Sequence, residues 1–178
     1  MNTLDCIKGR RSIRSFNSKK IDSDTIEKII SFASFAPSWK NTQITRYIAI
    51  QDADLKSKIS NHTASENNKK IIRNSPFLIA LTIIKNRSGF ERDGSYTTSK
   101  KDGWQMFDAG IASQTFCLAA HELGIGTVIM GIFDALEISN ILEIPEDREL
   151  IALIAAGYYD AIPVTPKRKS VDDLLLYK

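Results

Sequence analysis

The apolar residues of this chain follow two kinds of spacing, which predict both helices and strands. Between Asp22 and Pro37 the apolar side chains recur every three or four residues, which indicates one face of an amphipathic helix: Ile26, Ile29, Ile30, Ala33 and Ala36. Residues 104–123 are apolar on nearly every side. A helix of that kind is buried in a core or against another subunit, so we expect one of these two environments for it.

Shorter patterns divide the rest of the chain. A continuous apolar, β-prone run at residues 77–84 predicts a buried strand, and three further strands are expected at 45–50, 127–130 and 150–156. Short helices are expected at 3–9, 54–60, 67–73, 135–142 and 172–177. Residues 85–103 are polar without periodicity, which predicts a long loop that is either functional or poorly ordered. Since helices and strands do not alternate regularly, the predicted fold class is α+β, a central sheet with helices around it.

Composition narrows the class of protein. The chain has 178 residues, of which 43% are hydrophobic and 25% charged, close to the values for globular domains. No apolar stretch is long enough to span a bilayer, and the first residues do not resemble a signal peptide, so we expect a cytoplasmic protein without a membrane partner. The two cysteines and two histidines lack metal-binding spacing, so no metal is expected. Cys6 and Cys117 are expected to be buried as small apolar residues.

The positive charge is concentrated in two places. The net charge is only +3, but six cations and no acidic residue lie between residues 8 and 20, and three more follow at 167–169: Lys8, Arg10, Arg11, Arg14, Lys19 and Lys20, then Lys167, Arg168 and Lys169. Such clusters are either solvated surface or a binding site for one small anion, since Arg forks match a phosphate. A nucleic-acid groove would need stacking aromatics among the cations, and only Phe16 lies there, so no nucleic-acid partner is expected.

A glycine-rich turn at residues 124–126 must be distinguished from a dinucleotide-binding loop. The sequence Gly124-Ile125-Gly126 begins like that fingerprint but lacks the third glycine. It also follows a predicted helix and leads into a strand, which is the reverse of the required context. We therefore expect these glycines to end the helix and form a tight turn.

Five segments together resemble the FMN-dependent nitroreductase family. They occur in the family order and cover nearly the whole chain: residues 10–16, 36–43, 124–131, 144–158 and 167–174. The resemblance implies a nitroreductase-like α+β fold, with a central mixed, mainly antiparallel sheet flanked by helices. It also implies an intertwined homodimer with FMN at the interface. One domain would span residues 1–178, with a C-terminal extension from about residue 160 to 178 reaching the partner subunit.

The resemblance also assigns residues to parts of FMN. Its phosphate and ribityl chain would be held by residues from both cationic clusters: Arg10, Arg11, Ser12 and Arg168, with Lys167 as a further candidate and the choice among residues 167–169 left open. Arg14 would lie at the pyrimidine edge of the ring, where a cation stabilises the reduced form. Asn67 and Lys70 are either its companions or ordinary helix-surface residues.

Two further segments complete the implied site. A backbone N–H of Ile129, Met130 or Gly131 would donate to the flavin N5, where related enzymes often have Glu-Gly instead of Met130-Gly131. The loop along the ring and ribityl chain would come from the partner subunit and contains the following residues: Pro37, Ser38, Asn41 and Gln43. The acceptor would be flanked by aromatic residues, with Trp39 either there or at the dimer interface: Trp39, Phe90, Tyr96 and Trp104.

The implied activity is a ping-pong oxidoreduction. NADH or NADPH reduces FMN and leaves, and a nitroaromatic, quinone or similar flat acceptor then takes its place. No residue of the chain is required as a general acid or base, because the hydride passes through the flavin. Dehalogenation, flavin breakdown and heterocycle oxidation on the same fold stay open, as does a non-catalytic FMN-binding protein.

Overall fold

A computed structural model describes residues 2–178 as one α+β unit. The helices are α1 (Thr3–Gly9), α2 (Ser23–Ala33), α3 (Ala53–Asn61), α4 (Glu66–Asn74), α5 (Gly103–Glu122) and α6 (Ala135–Ile141). The strands are β1 (Thr45–Ile50), β2 (Phe77–Ile84), β3 (Gly126–Met130) and β4 (Arg148–Gly157). Their order along the chain is the one predicted from the sequence, apart from the last helix.

The helix predicted at residues 172–177 is wrong. The chain there makes a single turn, in which the backbone N–H groups of Leu174 and Leu175 donate to the carbonyl of Val171. Every residue from 160 to 178 is exposed. A helix this short is not stable without a surface to pack against, and within one chain the tail has none.

The four strands form one sheet in the order β1-β2-β4-β3, and every neighbouring pair is antiparallel. Ala80 of β2 lies between Ile48 of β1 and Leu153 of β4, which fixes the register of the centre. The one parallel contact is an isolated bridge between Ser12 and Thr127, which adds the N-terminal segment to the edge of β3. The sheet is therefore mainly antiparallel, as predicted.

Helices cover both faces of the sheet. Because successive side chains of a strand point to opposite faces, Ile79 packs in a cluster with α2 and α5, whereas Leu78 packs in a second cluster with α3, α4 and α6. The central strand β2 is buried from Phe77 to Ile83, which agrees with its continuous apolar run. Cys6 and Cys117 are both buried and unpaired, as expected.

Local sequence signals set where the two long helices begin and end. Asp22 caps α2 by accepting a hydrogen bond from the Thr25 backbone N–H at 2.7 Å. The helix ends at Ala33, earlier than the apolar pattern predicts, because the chain tightens there: the Phe35 and Ala36 N–H groups donate to the carbonyls of Phe32 and Ala33 before Pro37. Helix α5 ends at Glu122, and Gly124 follows with φ of 75°, a left-handed conformation that favours glycine.

Candidate functional site

Residues 10–14, here called the arginine segment, lie along the edge of β3. The Ile13 backbone N–H donates to the Thr127 carbonyl at 2.9 Å, and the Ile13 side chain is buried. A Cβ on Gly126 would lie 2.5 Å from Cγ1 of Ile13, so only glycine permits this approach. The arginine segment is therefore held by a backbone hydrogen bond and by close packing.

The guanidinium groups of Arg11 and Arg14 donate to neutral oxygens. Arg11 donates to the Lys8 and Arg10 carbonyls at 2.7 and 2.9 Å and to Oγ1 of Thr165 at 2.5 Å, and its Nε is buried without a partner. Arg14 is exposed and donates to the Ser12 carbonyl at 3.3 Å. Because none of these partners is a carboxylate, the segment keeps its positive charge.

The chain after β4 returns to the arginine segment. Residues 12–15 and 161–163 line opposite sides of a groove of about 360 Å³. Thr165 contacts Arg11, and the exposed Lys167 and Arg168 follow shortly after it, with Lys169 beside them. The structure thus brings the beginning of the tail to the arginine segment, while the three tail cations extend into solvent.

The end of β3 adjoins the same region. Met130 is buried in the cluster that contains Phe16 and the apolar face of α4, whereas Ile129 is 45% exposed on the opposite face and Gly131 is exposed. Asn67 and Lys70 lie on the exposed side of α4. The structure therefore groups Phe16, which follows the arginine segment, with the end of β3 and α4 around one apolar cluster.

The Pro37–Gln43 loop has an unusual backbone. Lys40, Asn41 and Gln43 have φ values of 44°, 56° and 47°, in the left-handed region that non-glycine residues rarely adopt. Internal hydrogen bonds close the loop: the Gln43 N–H donates to Oγ of Ser38 at 2.9 Å, and the Asn41 N–H donates to the Ser38 carbonyl at 3.0 Å. Strained backbone of this kind is concentrated at functional sites.

A buried carboxylate supports this loop from α5. Asp108 is 3% exposed, and both of its oxygens lie 3.1 Å from the backbone nitrogen of Trp39. Ser88 donates its hydroxyl to Asp108 at 2.5 Å and is 2.7 Å from the hydroxyl of Thr42. Reasoning from the sequence missed Asp108. The available signal was an acidic residue in the middle of a largely apolar stretch of the helix, since such a group is buried only when it is hydrogen-bonded.

Residues 85–102 form the predicted loop, which ends one residue earlier than expected because α5 begins at Gly103; its contacts close it on itself and on the Pro37–Gln43 loop. Phe90 and Tyr96 form a β-bridge with ring centroids 4.9 Å apart. Lys40 forms a salt bridge with Glu91 at 3.0 Å. Gly89 has φ of 87°, and a Cβ there would lie under 3.0 Å from the carbonyl oxygen of Lys101. The segment is therefore tightly folded despite its polar sequence.

The first turn of α5 is attached to the same segment. Indole Nε1 of Trp104 donates to Oγ1 of Thr98 at 2.9 Å, and Oε1 of the buried Gln105 accepts from the Asn86 backbone N–H at 2.7 Å. Trp104 also lies against Trp39, with ring centroids 4.6 Å apart. The four aromatic residues predicted for the acceptor thus occur as two pairs, Trp39 with Trp104 and Phe90 with Tyr96.

Cavities lie on both sides of Pro37 and Ser38. One of about 350 Å³ lies between α2, β1 and α5 and is lined by Tyr47, whose pKa burial raises to about 12. The other, about 260 Å³, is lined mainly by rings and apolar side chains, among them Trp39, Trp104 and Phe107. The second cavity is suited to a flat apolar group, since aromatic walls favour stacking.

Comparison with known proteins assigns the chain to a family. Residues 7–72 and 63–158 match the model of the nitroreductase family. A putative NADH dehydrogenase/NAD(P)H nitroreductase of Methanothermobacter thermautotrophicus is 30% identical over 89% of this chain and 78% of its own length. A solved nitroreductase family protein from Clostridium novyi superposes with a TM-score of 0.79 at 30% identity, covering 90% of this chain and 86% of that one.

A second solved structure is described as an FMN-dependent nitroreductase from Clostridium difficile. It superposes with a TM-score of 0.74 at 25% identity and covers 97% of this chain and 94% of its own. The chain therefore belongs to the nitroreductase family. This membership confirms the predicted α+β fold, the oxidoreductase class and the FMN cofactor. Within residues 2–178, no helix has the length and apolar character needed to cross a membrane.

The residues present fit FMN. The arginine segment offers the cationic groups of Arg11 and Arg14, which donate to neutral oxygens, and the Nε of Arg11 is buried without a hydrogen-bond partner; a phosphate matches such donors. The exposed end of β3 lies next to that segment, and an aromatic cavity lies beside the Pro37–Gln43 loop. The chain therefore has a suitable group for each part: cations for the phosphate dianion, the end of β3 for the flat ring, and an aromatic cavity for a molecule that stacks on it.

Proposed function

We propose that this protein is an NAD(P)H-dependent FMN oxidoreductase whose acceptor is a nitroaromatic, a quinone or a similar flat, electron-poor compound. When bound, FMN supplies the two-electron chemistry, accepting a hydride from the nicotinamide and delivering it to the acceptor. The observation that carries the proposal is the arginine segment along the edge of β3, whose Arg11 and Arg14 donate to neutral oxygens beside the groove lined by residues 161–163. The chain's own contribution is to bind FMN, to orient it and to tune how readily its ring is reduced.

Phosphate binding is assigned to the arginine segment and the tail. Arg10, Arg11 and Ser12 would hold the phosphate and ribityl chain from one side. Lys167 or Arg168 would close from the other side, since Thr165 already brings the tail to Arg11. Guanidinium forks give the strongest hydrogen bonds to a dianion, so this contact would supply much of the affinity.

Tuning of the flavin ring's reduction is assigned to Arg14, the end of β3 and α4. The exposed Arg14 would place a positive charge at the pyrimidine edge, which stabilises the negative charge gained on reduction. A backbone N–H among Ile129–Gly131 would donate to N5. Asn67 and Lys70 would contact the pyrimidine edge from α4, whose apolar face shares a cluster with β3.

Acceptor binding is assigned to the aromatic cavity. The rings of Trp39 and Trp104 line it, and Phe90 and Tyr96 belong to the folded segment nearby. A nicotinamide and a flat acceptor would occupy this place in turn. The Pro37–Gln43 loop, with Pro37, Ser38, Asn41 and Gln43, would border the flavin ring of the partner subunit's site.

A homodimer would complete the site. Helix α5 exposes large apolar side chains, among them Met106 and Phe107 at 47% and 59% exposure, and the tail exposes Val164, Leu174 and Leu176. Apolar groups left uncovered in this density indicate an interface. We therefore assign residues 1–178 to a single domain whose extension, from about residue 160 to 178, reaches the partner subunit.

The test combines a spectrum with one double variant. Purified protein is expected to be yellow and to bleach on anaerobic addition of NADH or NADPH. Arg10→Ala/Arg168→Ala is expected to weaken FMN binding about 100-fold or more, because each charged hydrogen bond contributes about 1.5–3 kcal/mol. Lys20→Ala/Lys28→Ala removes the same number of charges from exposed positions outside the site and should bind FMN as the parent does.

The outcomes distinguish the alternatives. Full FMN occupancy in Arg10→Ala/Arg168→Ala, with unchanged far-UV circular dichroism, would refute the phosphate assignment. A yellow protein that neither cofactor bleaches would favour a non-catalytic FMN-binding protein or another chemistry of this fold. A screen of nitroaromatics and quinones then tests the acceptor class. Release of halide from a halogenated aromatic would instead indicate dehalogenation.

A further inference from the structure

The non-glycine residues with left-handed backbone are concentrated around one end of α5. Among residues 2–178 they are Lys40, Asn41, Gln43, Asn86, Lys101 and Glu143. All of them except Glu143 lie in the Pro37–Gln43 loop or at the two ends of the segment 86–103. These conformations persist only where the surroundings enforce them. Something in the first turns of α5 must therefore hold both segments in place.

Asp108 is the group that contacts both. On one side its oxygens accept from the Trp39 backbone N–H, and on the other they accept from the Ser88 hydroxyl. Ser88 lies at 2.7 Å from Thr42, which closes a chain of hydrogen bonds from one loop to the other. The hydrogen-bond partners of Asp108 therefore all belong to the two loops.

The burial of this carboxylate is explained by its hydrogen bonds to the two loops and not by apolar packing. A charged group removed from water is costly unless hydrogen bonds replace its hydration. Asp108 lies next to the buried Ala109, in a helix whose inner face is otherwise largely apolar. An alanine or leucine at this position would leave the Trp39 N–H and the Ser88 hydroxyl without their acceptor.

We infer that Asp108 is a positioning residue for the flavin site, fixing the left-handed Pro37–Gln43 loop and coupling it to the segment that carries Phe90 and Tyr96. Asp108 also lines the aromatic cavity, but it is 3% exposed and its hydrogen bonds go to the two loops. The inference deepens the proposed function and rests on it in one respect, the assignment of this loop to the flavin ring. The hydrogen-bonded coupling of the two loops stands on geometry alone.

The first experiment needs no cofactor. Amide hydrogen exchange at Trp39 is measured by NMR in the FMN-free protein and in Asp108→Asn, which keeps the size and one carbonyl oxygen but removes the charge. Exchange at Trp39 is expected to accelerate about tenfold or more, because a hydrogen bond to a charged group is replaced by a weaker one. Exchange in β2, the central strand, should stay unchanged.

The second measurement is the dissociation constant of FMN. It is expected to rise about tenfold in Asp108→Asn and further in Asp108→Ala, since the loop must then be ordered on binding. Ser88→Ala removes one hydroxyl donor and should give a smaller rise. If Asp108→Ala fails to fold, Asp108→Asn and Ser88→Ala carry the test.

Ser113→Ala is the matched control, because Ser113 is a buried polar residue of the same helix whose hydroxyl donates to the Ala109 carbonyl at 2.6 Å. The inference is overturned if Trp39 exchange is unchanged in Asp108→Asn, or if Ser113→Ala accelerates it equally. Faster exchange with an unchanged FMN dissociation constant also overturns it. If the parent protein itself binds no FMN, the proposed function fails, and the exchange result then separately confirms or refutes the coupling of the loops.

Discussion

The two ends of α5 each hold a part of the site, and they do so by different physical means. At the N-terminal end, the buried side chains of Gln105 and Asp108 hold the loops by accepting hydrogen bonds from loop backbone N–H groups. At the C-terminal end, the helix turns through Gly124 into β3, where Gly126 and Ile13 pack in direct contact. One end depends on polar partners and the other on the absence of a side chain.

This difference predicts different responses to mutation. Hydrogen bonds between a side chain and a loop can be lost one at a time, so the loops should loosen locally. A tight contact between a strand and its neighbour cannot be relieved without moving the backbone, since protein interiors are close-packed. Substitutions at the C-terminal end should therefore lower the overall stability as well as cofactor binding, whereas those at the N-terminal end should act through the loops with a smaller loss of overall stability.

Gly126→Ala is expected to have the largest effect. Its Cβ would lie under 3.0 Å from the Ile13 side chain and from Cδ1 of Tyr159, so the arginine segment must shift. Overpacking of this kind costs about 1–3 kcal/mol of unfolding free energy, measured by urea denaturation at fixed protein concentration. FMN affinity should fall with it.

Gly103→Ala provides the control, because nothing lies within 4 Å of a Cβ at that position. It should leave both stability and FMN affinity close to those of the parent. If Gly126→Ala behaves like Gly103→Ala, the arginine segment is not held by close packing, and the contrast between the two ends of α5 disappears.

Gln105→Leu should have a smaller and more local effect. It leaves the Asn86 backbone N–H without its acceptor, which costs about 1–2 kcal/mol. The segment 86–103 should loosen, so that KM for the acceptor rises while the dissociation constant of FMN stays close to that of the parent. Steady-state kinetics with one quinone and a titration with FMN would separate the two quantities. A fall in FMN affinity with an unchanged KM would contradict the assignment of the segment 86–103 to acceptor binding.

The smallest expected effect is a pH dependence at the C-terminal end. Burial, and then the positive charge of Arg10, lower the pKa of His121 below its ordinary value of 6.5. Arg11 lowers the pKa further and Glu122 opposes the shift. The unfolded chain then binds the proton more readily than the folded one, so stability is full above pH 6.5 and falls as the pH drops through the lower folded-state pKa.

His121→Gln tests this dependence, since a neutral side chain of similar size cannot take up the proton. Urea denaturation between pH 5 and 7.5, roughly the range in which histidine titrates, should show a smaller loss of stability on acidification in the variant. An identical loss in both proteins would mean that other groups carry the pH dependence. His62, with the same ionisable group at the end of α3, gives the control variant His62→Gln.

The sequence predicted the sheet, the order of the elements and the family, because strong local patterns and motif order carry that information. The continuous run of β2 and the glycine turn before β3 are examples. It did not predict how Asp108 reaches Trp39 and Ser88, which lie 69 and 20 residues away along the chain. Such contacts depend on how the loops fold, and loops show no periodicity. The helix predicted at residues 172–177 does not form, because helix propensity alone does not stabilise so short a helix without a surface to pack against.

Gly89 has a practical consequence for engineering of the acceptor range. A mutant library across residues 85–103 that includes this position would lose most of its members there, since any side chain meets the Lys101 carbonyl and the backbone is left-handed. Phe90 and Tyr96 carry no such restriction, because Tyr96 is exposed and both contact each other through their rings. Keeping Gly89 fixed and randomising that pair would direct the search to variants that fold.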